Sequence, residues 1–371
     1  MIVGLFSELL AAGGVQRAGR HTAAVAAMYA AAHGMPYRFL SLNDVRGEHT
    51  VQVGTTQFSF AGFAKNKVQF ALAAMRAADS RARLILALHP NLAPIVAAMK
   101  FRSRASRSMI FAHGIEVWRP LGGLRGISLR RADWIVAPSE DTAHHVVADQ
   151  RVDAEKVRTL PWGLDPEFEA RLATQSSPPR PAGFPAQGPV ILTVGRWDPA
   201  ERYKGVDTLI SALPRVLPAV PGARLVAVGS GPDRARLERL AQDAGVAAQV
   251  VFLAGLTQAE LFACYAHCDI FAMPSAGEGF GLVFLEAMAH AKPVIGGAHG
   301  GTPEVVADGA SGLLVPHGDV EKLSGALRTL LIDAPRAKEM GLCGRERVRA
   351  AYTFERFKGR LEDLLRKVLQ E

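Results

Sequence analysis

Residues Pro274 to Pro293 read PSAGEGFGLVFLEAMAHAKP, and this stretch decides the fold. In front of it, Asp269-Ile270-Phe271-Ala272-Met273 is a short apolar run of the kind a buried strand requires. A loop with Gly277, Gly279 and Gly281 follows. A helical pattern from Leu282 to His290 comes next, closed by Lys292-Pro293. Glu278 lies in the loop and Glu286 on the helix. Fully helical spacing would put them about 12 Å apart at 1.5 Å per residue. Between them lie the unsatisfied N–H groups of a helix N-terminus, which attract anions. Each carboxylate can hold a polyol, with a diphosphate between them, which is the layout of a nucleotide-sugar. The same pattern is also ordinary α/β punctuation with a solvated loop glutamate. A glycosidase-type carboxylate pair faces across a bond at about 5–9.5 Å, and two residues strung along one helix start fit that poorly.

At 371 residues the chain is too long for one typical core, so two domains are expected. The composition, 49% apolar and 21% charged, is that of a globular protein. No apolar run reaches the ~18–20 residues of a membrane span. Met1-Ile2-Val3-Gly4-Leu5-Phe6 has no basic region and reads as a first strand, not a signal peptide. Cys264, Cys268 and Cys343 suit a reducing compartment. Cys264 and Cys268 lack a second ligand pair for zinc and read as buried structural thiols. The expected location is the cytoplasm, with peripheral attachment to the inner face of the plasma membrane as a further reading. Residues 1–180 hold 22 Lys and Arg against 14 Asp and Glu, whereas residues 181–371 hold 21 of each. The basic half suits an anionic partner: a membrane surface, a phosphorylated acceptor or nucleic acid. Solvated arginines on exposed helices account for it equally well.

The first half alternates strands and helices. Strands are expected at Ile2–Phe6, Tyr37–Ser41, Leu84–Leu88, Met109–Phe111, Trp134–Ala137 and Val157–Leu160. A doubly wound parallel sheet follows from this alternation, with ligands at the carboxyl ends of its strands. The turn Ala11-Ala12-Gly13-Gly14-Val15 precedes an Ala-rich helix from about Gln16 to His33. It can cradle phosphate, but it is not the G-x-G-x-x-G of a dinucleotide site. His89-Pro90-Asn91, His113-Gly114-Ile115-Glu116, Ser139-Glu140 and Trp162-Gly163-Leu164-Asp165 each follow a strand. A lone His at a strand end, such as His113, is more often a turn residue than a catalyst, and His144-His145 reads as surface. Basic clusters lie at Lys100–Arg107, around Phe101, and at Arg119–Arg131, where Trp118, Leu121, Leu124, Ile127 and Leu129 are interleaved. Such a pattern can lie on an anionic bilayer, or it can be a packed helix with a solvated face. Ala61 to Lys67 is a third acceptor-side candidate. The stretch TQSSPPRPAGFPAQG, 174–188, is Pro- and Ser-rich and marks the expected linker. The domains are therefore placed at 1–175 and 189–353.

The second half opens with a strand ending at Val194, then Gly195-Arg196 and Tyr203-Lys204-Gly205. Arg196 and Lys204 put two cations at a strand end, suited to a diphosphate. Arg202 competes with Lys204 for that role. Strand Arg224–Val228 leads to Gly229-Ser230-Gly231-Pro232 and a helix from Arg234 to Asp243. Strand Val250–Leu253 leads to Gly255-Leu256 and a helix capped by Thr257. After the central stretch come strand Pro293–Gly297, then Gly300-Gly301-Thr302-Pro303-Glu304, then Gly312 to Pro316. The tail, about 354–371, carries an amphipathic helix with Phe357, Leu361, Leu364, Leu365 and Val368 on one face.

Glu278 and Glu286 with their flanks resemble the E-x7-E signature of family 4 glycosyltransferases, retaining enzymes of the GT-B fold. GR…KG, G-x-G-P, GG-x-PE and GLLVP also match. The resemblance is dense over 190–320 and moderate over 1–170. It implies two Rossmann-like doubly wound domains facing across a cleft, with the last helix packed back on the first. It implies transfer of a hexose, of the glucose or mannose class, from a UDP- or GDP-sugar to a glycan or lipid-linked glycan. The anomeric configuration is retained, without metal or further cofactor and without nucleic acid as partner. The catalytic set it implies is His113, Arg196, Lys204 and Glu278. The implied donor contacts are Gly13, Gly14, Gly229, Gly231, Gly255, Leu256, Gly279, Phe280, Gly281, Leu282 and Glu286, the last on the ribose. Glu116, Trp118 and Arg119 are read on the acceptor side. The competing readings are a nucleotide-sugar epimerase or phosphorylase on the same fold and a nucleic-acid binder. A dehydrogenase is disfavoured because no G-x-G-x-x-G follows the first strand.

Overall fold

The computed structural model describes residues 1–79, 81–175 and 177–370. Ser176, within the expected linker, and Glu371, at the end of the expected terminal helix, lie outside them. The chain forms two compact units, residues 1–167 with 353–371, and residues 168–352.

The first unit holds β1 (Ile2–Phe6), α1 (Gly14–Ala32), β2 (Tyr37–Ser41), β3 (Gly47–Val53), β4 (Thr56–Gly62) and α2 (Lys67–Ala77). It continues with β5 (Leu84–Ala87), α3 (Ala93–Arg102), β6 (Arg107–Phe111), α4 (Gly123–Arg130), β7 (Trp134–Ala137), α5 (Glu140–Ala148) and β8 (Val157–Thr159). The eight-stranded sheet has the order β3-β4-β2-β1-β5-β6-β7-β8. The central strands β1, β5 and β7 are buried along their whole length. Uninterrupted apolar strands of this kind belong to a parallel sheet covered on both faces. All pairings are parallel except β3 with β4. That hairpin is absent from the sequence expectations. Its signal is the alternation over His49 to Val53, where exposed and partly buried residues alternate up to a turn at Gly54 (φ 56°). The strand order reverses between β1 and β5, so the loops after β1, β5 and β6 gather at a switch point.

The second unit begins within α6 (Pro166–Thr174). It holds β9 (Val190–Val194), α7 (Val206–Val216), β10 (Arg224–Val228), α8 (Arg234–Asp243), β11 (Val250–Leu253), α9 (Gln258–His267) and β12 (Ile270–Met273). It closes with α10 (Leu282–Ala289), β13 (Val294–Gly297), α11 (Thr302–Val305), β14 (Gly312–Val315), α12 (Val320–Ile332) and α13 (Ala334–Ala351). The six-stranded sheet runs β11-β10-β9-β12-β13-β14, all parallel, with its switch point between β9 and β12. The stretch read as a linker has an anchor of its own. Phe184 is buried and faces His267, whose Nε2–H donates to the Pro178 carbonyl at 2.7 Å. Cys264 and Cys268 are buried and their thiols are pushed up to about 12 by burial, whereas Cys343 is exposed.

The terminal helix α14 (Phe354–Gln370) groups with the first unit and packs on α1. Phe357, Leu361, Leu364, Leu365 and Val368 are its buried face. Room for it is made at Gly163, where a Cβ would lie 2.7 Å from the Thr353 carbonyl oxygen. Beside this join His21 is buried against Phe354, edge to face at 5.3 Å, with Nε2 3.3 Å from Asp165.

Burial pushes the His21 imidazole below its ordinary value of 6.5. Burial opposes ionisation of Asp165, yet the hydrogen bond and charge of His21, with Arg17, bring it down to about 2. Both shifts mean that the unfolded chain binds protons the folded unit refuses. Stability is therefore expected to fall as pH drops below about 6.5, from His21, and again between 3.8 and about 2, from Asp165. Melting temperature against pH is the measurement. His21→Asn should flatten the slope between pH 5 and 6.5, and an unchanged slope would remove His21 as its source.

Candidate active site

In the first unit the glycine loop after β1 is held from both sides. Asp44 is buried and accepts from the N–H groups of Leu9 (2.7 Å) and Leu10 (3.1 Å) and from the Ser41 hydroxyl (2.6 Å). The Arg20 guanidinium donates to the carbonyls of Leu9 (2.6 Å) and Ala11 (3.1 Å). The loop delivers Gly13 and Gly14 to the exposed start of the 19-residue α1, which has no side-chain cap. At Gly13 φ is 147°, and a Cβ there would lie 2.3 Å from Gln16 Oε1. Uncapped N–H groups at such a start suit an anion. Arg17 points to Asp165, with Nε 4.0 Å from its Oδ2.

His113 follows β6. Its Nε2 lies 2.7 Å from the Leu88 carbonyl oxygen, which can only accept, so Nε2 carries the proton. Nδ1 is then a buried lone pair, and it has no hydrogen-bond partner among the described residues. The ring stacks on Trp162 at 5.7 Å and 25°, with His89 6.1 Å away. Glu116 accepts from the His113 backbone N–H at 2.5 Å, so it fixes the turn that carries the imidazole. Trp118 packs on His145 at 5.2 Å, so His145 is only partly exposed, while His144 lies at the surface. Arg119 is exposed, and its carbonyl accepts from Gln150.

In the second unit the central stretch forms the loop after β12 and helix α10. Gly281 caps the helix in the left-handed region (φ 88°), where a Cβ would meet the Phe284 ring at 2.6 Å. Phe280 turns its ring into the core against Tyr352, so only its backbone is offered to a ligand. Glu286 is buried on α10 and accepts from the Tyr265 hydroxyl at 2.7 Å. Tyr265 belongs to α9, outside every motif in the sequence, and nothing short of the fold reveals its role.

Glu278 is partly buried, and its Oε1 is enclosed without a hydrogen-bond partner among the described residues. Burial raises its carboxyl above the ordinary range, Lys204 and Arg196 work against that, and Glu201 adds to it. Its surroundings are assembled by backbone. Ala276 N–H donates to the Tyr203 carbonyl at 2.7 Å, and left-handed Gly205 (φ 79°) lies under Pro274. The Lys204 stem lies against Gly195, where a Cβ would be 3.2 Å from Lys204 Cδ. Lys204 and Arg196 both pair with Glu201, Lys204 Nζ at 2.6 Å from its Oε2. Arg202 instead turns to Asp233 at 3.3 Å, where Arg236 also binds. Arg202 is thus held by Asp233, which the sequence reading left out, while Lys204 stays beside Glu201.

Gly229 and Gly231 have a structural task. A Cβ at 229 would lie 1.8 Å from the Gly195 carbonyl oxygen, and one at 231 would lie 2.1 Å from that of Trp197. They let the loop bearing Arg196 settle on the end of β10. Gly255 is exposed and left-handed (φ 70°) with Leu256 beside it, in the loop between β11 and α9. Gly279 is buried between Glu278 and Phe280.

Comparison with known proteins bears on both units. The family model for glycosyl transferases group 1 matches residues 177–347, and that for glycosyltransferase family 4 matches residues 18–168. A GDP-mannose-dependent alpha-(1-6)-phosphatidylinositol monomannoside mannosyltransferase of Mycobacterium tuberculosis is 36% identical over 307 residues, covering 78% of this chain and 79% of that protein. A D-inositol 3-phosphate glycosyltransferase of Stackebrandtia nassauensis is 37% identical over 217 residues, covering 55% of this chain and 47% of that protein. Among solved structures, sucrose-phosphate synthase from Thermosynechococcus elongatus superposes with a TM-score of 0.78 at 22% identity, covering 100% of this chain and 99% of that one.

The geometry at the start of α10 makes one direct prediction. Gly281→Ala must either hold a left-handed alanine against Phe284 or shift the loop that carries Glu278. It should destabilise the second unit by about 1–3 kcal/mol, read as a lowered melting temperature. Gly255→Ala, with nothing near its Cβ, should cost only about 1 kcal/mol of left-handed strain.

Proposed function

This chain belongs to glycosyltransferase family 4, and on that premise we propose that it transfers mannose from GDP-mannose to a phosphate-bearing lipid glycan, with retention and without a metal ion. The observation that carries the reading is the cluster of Arg196, Lys204 and Glu278 around the start of α10. The two cations take the diphosphate, and the free N–H groups of α10 add a partial positive charge. Together they stabilise the negative charge that grows on the leaving oxygen. The enclosed Glu278 Oε1 lacks a donor, and a hexose hydroxyl supplies one. Glu286, oriented by Tyr265, takes the ribose hydroxyls. In the first unit the lone pair on His113 Nδ1 accepts from a sugar hydroxyl, with the ring fixed by the Leu88 carbonyl and Trp162. The acceptor oxygen bonds to the anomeric carbon on the face from which the diphosphate leaves, and its proton passes to a phosphate oxygen.

GDP-mannose is favoured by the mycobacterial mannosyltransferase aligned over 79% of its length, whose name carries that donor. The acceptor class has a second support. Residues 61–131 hold 13 Lys and Arg against only Asp79 and Glu116. They span α2, α3 and α4, which pack side by side. On these helices Val68 (70%), Phe101 (77%) and Leu124 (72%) are exposed among the basic side chains. Apolar tips within a basic face suit an anionic bilayer. No helix among the described residues is long and apolar enough to cross a membrane, so the proposed attachment is peripheral. Reduced Cys264 and Cys268 fit its cytoplasmic side.

Binding and transfer test the donor and the mechanism. GDP at 100 times its dissociation constant should stabilise the protein by about 2.7 kcal/mol, and UDP less. Lys204→Ala should lower kcat/KM with GDP-mannose by about 10²–10³-fold. Preference for UDP would overturn the donor, and a β-linked product from the α-linked donor, seen by NMR, would overturn retention.

Vesicle sedimentation tests the surface. Phosphatidylglycerol vesicles should retain the protein at low salt and release it as salt rises, while phosphatidylcholine vesicles leave it in solution. Phe101→Ser with Leu124→Ser should weaken retention without changing nucleotide binding. Equal retention by both lipids would rule out the anionic face.

A further inference from the structure

Arg196 and Lys204 share one carboxylate, that of Glu201. Glu201 sits in the tight turn Pro199–Lys204, and the turn kinks at Glu201 itself (φ −109°, ψ 18°). Its side chain is 12% exposed, against 17% for Lys204 and 75% for Arg196. The turn is pinned at both ends. Asp198 caps it through the Ala200 N–H at 2.9 Å, and the Tyr203 carbonyl is bonded to Ala276 at 2.7 Å. Arg202, the remaining cation of the turn, is taken up by Asp233. Glu201 is thus the carboxylate of this turn that neutralises the two cations facing Glu278, and it is close enough to Glu278 to bear on its charge.

We propose that Glu201 is an internal counter-anion of the diphosphate site, so that donor binding and nucleotide release are exchanges of one anion for another on Arg196 and Lys204. The inference rests on the assignment of the diphosphate to those two side chains. A carboxylate and a phosphate oxygen ask for the same thing of a lysine and an arginine, charge-assisted hydrogen bonds of similar length. They cannot both have the full set, and two anions held together on the same pair repel. A diphosphate carries more charge than one carboxylate and gains the α10 N-terminus as well, so it wins the exchange by a moderate margin. The competition lowers affinity for donor and product alike. It therefore speeds departure of the nucleoside diphosphate, a step that limits turnover in many enzymes. It also spares Arg196 and Lys204 their mutual repulsion before the exchange. On this account Glu201 sets nucleotide affinity without touching the reacting atoms.

Calorimetric titration of the full chain with GDP, and in parallel with UDP, tests this on wild type, Glu201→Gln, Glu201→Asp and Lys204→Ala. Glutamine keeps the shape and removes the charge. Its dissociation constant for the bound nucleotide should fall about three- to tenfold, since the exposed Arg196 arm of the pair is screened. Its kcat should fall as release slows, and Glu201→Asp should stay within about twofold of wild type. Glu201→Ser replaces the glutamine variant in the comparison if that variant does not fold. If the uncharged variant binds as wild type or more weakly, Glu201 positions the cations and does not compete for them, and the proposal is overturned. Wild type binding neither nucleotide, with Lys204→Ala no different, would overturn the diphosphate assignment itself and the exchange with it.

Discussion

The candidate chemistry depends on one backbone join, the seating of the loop after β12 on the turn before α7. The hydrogen bond from Ala276 to Tyr203 fixes it on one side, and the close approach of Pro274 to Gly205 fixes it on the other. The same loop is also held from the other side, by His317, whose Nδ1–H donates to the Pro274 carbonyl at 2.9 Å, and by the Gly301 N–H on the Glu278 carbonyl at 2.7 Å. Cation and carboxylate must face each other to within a fraction of an ångström for an anion and a sugar to be held together. Side-chain packing alone leaves long lysine and arginine arms too free for that. Backbone joins remove the freedom at its source, which is why the site lies where two strand–helix turns meet at a switch point.

The first unit solves the same problem with side chains. Its glycine loop has Asp44 below it and Arg20 beside it, each making two bonds to the loop backbone. Arg20 is held below its ordinary value chiefly by burial, and the positive charge of Arg17 pushes the same way. That charge is tolerated where it is because two carbonyls face it. His113 is fixed in the same manner, by a carbonyl at Nε2, a stacked indole and a carboxylate on its own backbone N–H. In both units a residue singled out by sequence carries a buried atom that its neighbours among the described residues leave unsatisfied, Nδ1 of His113 and Oε1 of Glu278. Buried polar atoms are nearly always paired, and several more on these loops, Ser275 Oγ, Trp197 Nε1 and Thr302 Oγ1 among them, are also without a hydrogen-bond partner among the described residues.

The sequence revealed what is local and hid what is brought together at long range. Strands buried on both faces show as apolar runs, and the turns after them show as glycines, so both parallel sheets were legible. The β3–β4 hairpin was missed because its strands are half-exposed, and alternation over a few residues is weak against an Ala- and Gly-rich background. Glu278 and Glu286 stood out through their resemblance to the E-x7-E signature, their bare spacing being ordinary for a strand, turn and helix. Tyr265, Asp44, Asp233 and Glu201 were not, because each acts on a residue it meets only in the fold or through a kinked turn. The linker was placed by its prolines, yet Phe184 ties that stretch to the core of the second unit.

The glycines carry the last step of this reasoning. Gly229 and Gly231 look from sequence like a nucleotide-binding turn, and a Cβ at either would strike the backbone of Gly195 or Trp197. Their absence of side chains serves the protein's own chain first. That service is functional all the same, since the loop they admit is the one bearing Arg196, and its neighbour Gly195 admits the stem of Lys204. Replacing them would move the cations without touching any ligand. At Gly195, Gly205, Gly229 and Gly231 the missing side chain thus records how closely the turns are stacked. The stacking brings together the charged side chains Arg196, Glu201 and Lys204.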